Sequence, residues 1–348
     1  MKTRFLLLFF VAFHSVLLAS QAPIMLCNTL GTTCLPYTNL ADAYANANNG
    51  DIIYLPAGSF TMPNPLSKSI SIIGVGANID SSAAYGGVTQ ITNDIVLATN
   101  HITLEGLYIV SNVIAGDNGN LNISGTLIKQ CRLVYLSYNT TYPYTKLNNT
   151  TVVNSYAEVL DFGLISTGSG TTESGIHGQN NAVYNCIVGG IANTENSTIK
   201  NCIFRPIGWS GGVSIVYSSQ ITNCIFWGPV VHNNYVENNI ISHCSYTNPN
   251  VSSSNQLFSN LFVGSNIGTH PISWTSIPFP IKDNANIVAS HPALTASDTG
   301  GEIGINGGMF PWNQSHSVPS NPHIFYKNIP EQTNSNALPV NIKVRTNN

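Results

Sequence analysis

One short apolar string recurs along the middle of this chain, and it constrains the fold more than any other feature. Each copy places an Asn, or a Gln in the first copy, between apolar residues at intervals of 15 to 31 residues. The aligned positions are Gln130, Asn154, Asn185, Asn201, Asn223, Asn238 and Asn260. A solenoid repeats in this way, because every coil adds a strand to each face while loops absorb differences in length. The repeat predicts an all-β, right-handed parallel β-helix of about ten coils.

The aligned amide side chains predict a hydrogen-bond ladder at one turn of the solenoid. An Asn amide both donates and accepts, so it can bond the turn and the Asn one coil away. Asn also tolerates the left-handed backbone conformation that a tight bend requires. Cys186, Cys202 and Cys224 directly follow three of these Asn residues. We expect them to stack as small buried hydrophobic residues, with metal or redox chemistry as the alternative.

The segment before the repeats predicts a cap and the first strands. Residues 37–48 (YTNLADAYANAN) are typical of a short amphipathic helix that covers an open end. The strings GDIIYLPAGSF from Gly50, SISIIGVG from Ser69 and HITLEGLYIV from His101 read as strands and turns. This opening resembles the pectate-lyase-like parallel β-helix superfamily, and the resemblance extends over residues 37–265. It implies the fold, since the superfamily contains lyases, hydrolases, adhesins and proteins without a known activity.

Four segments follow from this organisation. Residues 1–22 predict a secretory signal peptide, because Lys2 and Arg4 precede an apolar stretch that ends in small residues. Residues 23–49 form the N-terminal cap, residues 50–269 the β-helix, and residues 270–348 a last coil with an irregular C-terminal cap. The closing run from Asp298 to Trp312 is similar to that of uncharacterised secreted β-helix proteins of Bacteroidetes type. We therefore expect a secreted protein, extracellular or on the outer cell surface, in which Cys27 and Cys34 can form a disulfide.

Composition narrows the classes of partner. Charged residues make up only 8% of the chain, and its net charge is −3, so there is no basic patch for nucleic acid. No segment after the signal peptide is apolar enough to span a membrane. The polar surface consists mainly of Asn, Ser, Thr and Gly side chains.

An enzyme on this fold needs carboxylates and a proton-accepting cation or imidazole. The pectin hydrolases of the superfamily carry Asp-Asp, Gly-His-Gly and Arg-x-Lys, whereas this chain has a single Asp161 and the interrupted Gly175-Ile176-His177-Gly178. The candidate catalytic residues are Glu158, Asp161, His177, Arg205 and His232. If their segment is extended, Glu158 and Asp161 point to opposite faces, so they could share a metal ion only with a bend between them. We expect no metal site and no cofactor. We expect bound calcium only if the protein is a lyase.

Aromatic side chains support a binding surface instead. The candidates for stacking on sugar rings are Tyr138, Tyr142, Trp209 and Trp227, with Tyr135 and Tyr144 in the same loop as the first two. The alternative is that these rings pack loops against the solenoid. The sequence thus predicts a non-catalytic protein that binds glycan or forms surface structure, with polysaccharide or cell-surface components as partners. A polysaccharide lyase or glycoside hydrolase that acts on acidic polysaccharide is the alternative function.

Overall fold

The computed structural model describes most of the chain, in eleven separate ranges. The described residues are 22–78, 87–139, 141–142, 144–163, 177–205, 212–226, 236–246, 253–262, 287–312, 323–328 and 341–345. Residues 1–21 of the predicted signal peptide lie outside these ranges, and so do Trp209, Trp227 and His232. None of the helices in the described ranges is long and apolar enough to cross a membrane.

The first sheet runs the length of the solenoid and has twelve strands within the described residues. Its first two strands, β1 (Ile24–Cys27) and β2 (Cys34–Tyr37), form an antiparallel hairpin. The ten parallel strands that follow are Ile52–Tyr54, Ser71–Ile73, Thr103–Glu105, Leu127–Lys129, Thr151–Val153, Ala182–Tyr184, Thr198–Lys200, Gln220–Thr222, Ile240–Ser242 and Gln256–Phe258. One strand per coil gives ten coils, so the predicted all-β parallel β-helix is confirmed.

The second sheet, also parallel, supplies the other walls of the coils. Its main path contains Gly58–Phe60, Thr89–Ile91, Tyr108–Ile109, Arg132–Tyr138, Tyr156–Asp161, Ile187–Glu195, Ile203–Phe204, Ile225–Phe226, Ser245–Tyr246 and Leu261–Phe262. Five further strands pair beside this path: Ile95–Leu97, Val113–Ala115, Gly178–Gln179, Gly212–Tyr217 and Val236–Glu237. Two small sheets join Asn122–Ser124 to Lys146–Asn148 in parallel and His323–Asn328 to Asn341–Arg345 in antiparallel pairing.

The second sheet bends in the middle of its longest strands. In Tyr156–Asp161 both Ala157 and Leu160 are buried, although an odd spacing would put them on opposite faces of a straight strand. The bend turns Glu158, Val159 and Asp161 away from the core together. Glu158 and Asp161 therefore lie on the same side of the strand, because it bends between them, whereas a straight strand would place them on opposite faces.

Two ladders of inward-facing polar side chains close the turns at the two ends of the first sheet. In the turn before the strands, Asn181, Ser197, Ser219, Asn239 and Asn255 each accept the backbone N–H of the equivalent residue one coil earlier, at 2.8–3.0 Å. In the turn after the strands, each coil contributes one side chain to a second column, which contains Cys131, Ser155, Cys186, Cys202, Cys224, Cys244 and Asn260. Here the side chains of Ser155, Cys224, Cys244 and Asn260 accept the same kind of bond, at 2.8–3.5 Å.

The repeated Asn column differs from the predicted ladder in two respects. The residues that follow the first-sheet strands, all with φ between 47° and 57°, are Gln130, Asn154, Asn185, Asn201, Asn223, His243 and Ser259. Asn238 instead precedes its strand, in the other turn, and Asn260 lies in the cysteine column. The aligned Asn residues keep the predicted left-handed backbone, but the amides of Asn185 and Asn223 bond a C-terminal segment rather than one another.

The N-terminal cap covers the first coil. The helix α1 (Leu40–Asn46) is shorter than the predicted segment 37–48, and it begins where the Asn39 side chain accepts the N–H of Asp42 at 2.8 Å. Leu40 and Ala43 are buried against the core, and Lys68 Nζ donates to three carbonyl oxygens at the helix end. A disulfide joins Cys27 to Cys34 across the β1–β2 hairpin.

Residues 287–312, here called the strap, pack along the side of the solenoid. Ile287, Ala293, Ile303 and Ile305 form one apolar cluster with the outward-facing Tyr156, Ile187, Ile203 and Ile225. Asn185 Nδ2 donates to the carbonyl oxygens of Ile305 and Gly307 at 2.7 Å each. This part of the chain was predicted to be a last coil and an end cap, but it crosses coils sideways because their outer column is apolar.

Candidate functional site

An outward-facing cluster of tyrosine and arginine side chains stands out on the second sheet. Tyr108, Arg132 and Tyr156 occupy the same register in three successive coils. The Arg132 guanidinium lies over the Tyr108 ring, 4.4 Å from its centroid, and the Arg205 guanidinium lies over the Tyr156 ring at 4.6 Å. We call these four residues the arginine–tyrosine stack. Cation–π contacts of this kind favour a charged guanidinium over the face of the ring.

Arg205 reaches Tyr156 across an intervening coil. It follows Phe204, which pairs with Val188, and Gly189 therefore occupies the equivalent position one coil earlier. Because Gly189 has no side chain, the arginine extends over it toward Tyr156. Tyr156 also belongs to the apolar cluster under the strap, so the strap and the stack share this ring.

Burial gives Arg205 unusual electrostatics. Its side chain is largely enclosed, with 9% relative exposure, and its buried Nε has no hydrogen-bond partner within the part of the chain that the structure describes. Burial lowers the pKa of Arg205 to about 10, and the Arg132 guanidinium lowers it further. Burial also lowers the pKa of Arg132, while Tyr108 and Glu158 favour its charged form. An anion that reached this cluster would stabilise both cations.

Glu158 and Asp161, the two candidate carboxylates, have different surroundings. Glu158 is half-buried and acts electrostatically on Arg132. Asp161 Oδ1 accepts from Asn193 Nδ2 at 2.7 Å and from the Gly163 N–H at 3.3 Å. Burial raises the pKa of Asp161 to about 6, although these two bonds act in the opposite direction. Glu158 thus belongs with the arginine–tyrosine stack, and Asp161 forms a second polar group.

His177 lies in a third group, near the end of the long strand Ile187–Glu195. Its ring is 5.0 Å from that of Tyr217, and burial lowers its pKa while Glu195 raises it. Gln179 and Glu195 pair across adjacent coils, and their side chains are 3.3 Å apart. The four predicted catalytic residues that the structure describes are therefore spread along one sheet in three groups, with Glu158 and Arg205 in the same one.

The predicted aromatic surface is described only in part. Tyr138 is half-buried beside Asp161. Burial raises the pKa of Tyr138, and the Asp161 carboxylate raises it further. Tyr142 is half-buried in the adjoining turn, whereas Tyr135 and Tyr144 are exposed. None of these four tyrosines joins the arginine–tyrosine stack. No group of three or more His, Cys, Asp or Glu residues among the described side chains is arranged to hold a metal ion.

Sequence reasoning missed three of the four residues in the stack. Arg132 and Tyr156 stand in the repeated string at the position that is Ile in three later copies, Ile187, Ile203 and Ile225. A charged or polar aromatic residue at a position that is otherwise Ile was the available signal for both. Tyr108 precedes the repeated strings, and no signal of that kind marks it.

Comparisons with known proteins give only distant likenesses. No model of a protein family and no curated protein matches the chain. Among solved structures, the chain is similar to pectate lyase Pel9A, with 12% identity and a TM-score of 0.40, over 74% of this chain and 86% of that one. It is also similar to ORF18 of Geobacillus virus E2, with 14% identity and a TM-score of 0.35, over 64% of this chain and 56% of the viral protein's length. The strand pairing itself defines a parallel β-helix protein.

Proposed function

We propose that this protein acts outside the cell as a non-catalytic β-helix protein that binds an acidic polysaccharide on the outer face of its second sheet. The observation that supports this most directly is Arg205, a buried guanidinium over the Tyr156 ring with an Nε–H that no described group accepts. An unpaired buried donor costs roughly 1–3 kcal/mol, and a ligand carboxylate or sulfate oxygen would remove that cost. Arg132 adds a second cation within electrostatic reach.

The surrounding surface suits a polymer rather than a small isolated anion. Parallel strands lie about 4.8 Å apart, so successive coils offer side chains at regular intervals along the solenoid axis. Tyr108, Arg132 and Tyr156 occupy three consecutive coils of this kind, and the half-buried Tyr108 ring offers an apolar edge to a sugar. A charged chain that lies along the axis can therefore contact several coils at once.

Binding can be tested by retention on immobilised polygalacturonate, alginate and hyaluronate at several salt concentrations. We expect wild-type protein to be retained at low salt and Arg205→Gln to lose about tenfold in affinity, the equivalent of about 1.4 kcal/mol. Arg205→Lys keeps the charge but not the planar fork, so it should recover only part of the retention.

Lys129→Gln is the matched control, because it removes the same charge from the first sheet, where Lys129 pairs with Glu105. Equal retention of wild type and Arg205→Gln on all three polymers would refute the proposed site. A loss in Lys129→Gln of the same size would show that only net charge matters.

A lyase is the second candidate, and the lowered pKa of Arg205 is the observation that favours it. A guanidinium near a sugar carboxylate could accept the proton beside the carbonyl once it is neutral. With a pKa of about 10, however, Arg205 is still almost entirely charged at neutral pH, and this favours binding. Release of unsaturated uronate products, followed by their ultraviolet absorbance and abolished in Arg205→Lys, would establish the lyase instead.

A further inference from the structure

Four cysteine side chains form an unbroken column inside the solenoid. Cys186, Cys202, Cys224 and Cys244 occupy the same position in four consecutive coils, and each is a free, completely buried thiol. The fifth free cysteine, Cys131, is separated from this column by Ser155. The arginine–tyrosine stack lies on the outside of the solenoid, so the column is independent of the proposed function.

The four thiols share one side-chain conformation. Each Sγ is 3.1–3.4 Å from the carbonyl oxygen two residues earlier in its own coil. Each is also 3.5–3.8 Å from a carbonyl oxygen of the preceding coil. Because the contacts repeat from coil to coil, neighbouring sulfur atoms are separated by about one strand spacing, roughly 4.8 Å.

That separation decides between the two reactions open to neighbouring thiols. A disulfide brings its sulfurs to about 2.0 Å, so both side chains would have to leave their hydrogen bonds. A linear thiolate–metal–thiolate unit with metal–sulfur bonds of about 2.3 Å spans about 4.6 Å, so it would fit without moving either side chain. Thiolates select soft cations, and a divalent ion that displaces two thiol protons leaves no net charge in the core.

We propose that neighbouring thiols of this column bind a soft divalent d¹⁰ cation, with Hg²⁺ as the model ion, in linear two-coordinate geometry. Each cation replaces the two thiol protons, which leave to solvent, and no oxidant is required. One ion fits between Cys186 and Cys202 and another between Cys224 and Cys244. Two ligands are sufficient for such a site, whereas Zn²⁺ would need four.

The test compares two double variants that have the same number of thiols. Cys186→Ser with Cys202→Ser leaves Cys224 and Cys244 in adjacent coils. Cys202→Ser with Cys244→Ser leaves Cys186 and Cys224 two coils apart. Ser already occupies this column at Ser155, so both variants should fold, which circular dichroism checks.

With HgCl₂ as the probe, native mass spectrometry should show two ions in the wild-type column and one in the adjacent-pair variant. The adjacent pair should bind Hg²⁺ about a hundredfold more tightly than the separated pair, because its second thiol is already in place. A sulfur-to-mercury charge-transfer band should accompany binding. Equal affinity of the two variants would overturn the proposal, and so would recovery of the column cysteines as disulfides in the purified protein.

Discussion

The outward column of the second sheet has one backbone but two kinds of surface. From Tyr156 onward it carries Ile187, Ile203 and Ile225, and these side chains are buried under the strap. One and two coils earlier the same column carries Arg132 and Tyr108, which stack on each other. The residue type at these positions therefore follows from what covers each coil. It is Ile where the strap packs on the column, and Arg or Tyr where no strap contact is described. Tyr156 belongs to both surfaces, as it packs under the strap and supports Arg205.

Weakening the strap should produce the largest change in stability. Ile303 is almost completely buried in the strap cluster, and Ile303→Ala should lower the free energy of unfolding by about 2–5 kcal/mol, through lost burial and a cavity. Met309→Ala is the matched control, since Met309 lies in the same segment but is 83% exposed. Chemical denaturation measures both. If the two substitutions had similarly small effects, the strap would not be part of the cooperative fold.

Outside the strap cluster, removing the charge of the enclosed Asp161 should stabilise the protein at neutral pH. The folded-state pKa of about 6 exceeds the unfolded value of about 3.9. The folded protein therefore holds this proton more tightly, and its contribution to stability is present below about pH 4 and lost as the pH rises through about 6. Asp161→Asn should gain about 3 kcal/mol at pH 8 and little at pH 4.

Stability curves of Asp161→Asn at a series of pH values provide the measurement. Glu158→Gln removes the same charge from the same strand and should not reproduce the pH-dependent gain. A gain of equal size at pH 4 and pH 8 would contradict the explanation by burial, because it would not depend on the proton.

The carboxylate of the strap should behave in the opposite way. Asp298 accepts from Lys200 Nζ at 2.6 Å and from Asn223 Nδ2 at 2.7 Å. Burial raises the pKa of Asp298, but the hydrogen bonds from Asn223 and Lys200 outweigh it, and the net pKa is lowered. The stability it contributes is present above the ordinary aspartate pKa of about 4 and is lost as the pH falls through the lower folded-state value.

Because Lys200 and Asp298 are each about a third exposed, Asp298→Asn should lower the free energy of unfolding by only about 1 kcal/mol at pH 7. The loss should be smaller at about pH 3, below the ordinary aspartate pKa. Thermal unfolding at both pH values tests this, with Lys200→Gln as the matched partner variant. Additive losses in the double variant would show that the two side chains do not interact.

The sequence was sufficient to predict the solenoid, but not to predict the covered and uncovered surfaces of its second sheet. The repeated Asn, Cys and Ile residues revealed the coils because inward-facing positions must repeat when every coil buries the same faces. The string could not show that Asn238 and Asn260 have different registers, since Asn with a left-handed backbone also occurs in the turn before the strands, at Asn180 and Asn196. It also could not show what lies over Ile187 or Ile203, because the strap is about a hundred residues away in the sequence. Arg205 was identified, but Tyr156, the ring that holds it, was not.

Replacing a residue of the uncovered surface by the residue found under the strap should change the free energy of unfolding least. Arg132→Ile places in the uncovered coil the residue that the covered coils use. With no strap contact described at this position, the new side chain would gain little burial, while the contact with the Tyr108 ring, worth about 0.5–1 kcal/mol, would be lost. The free energy of unfolding should therefore fall by less than about 1 kcal/mol, whereas retention on acidic polysaccharide should fall severalfold. A clear stabilisation by Arg132→Ile would show instead that this coil is covered as well, and that the boundary between the two surfaces lies nearer to Tyr108.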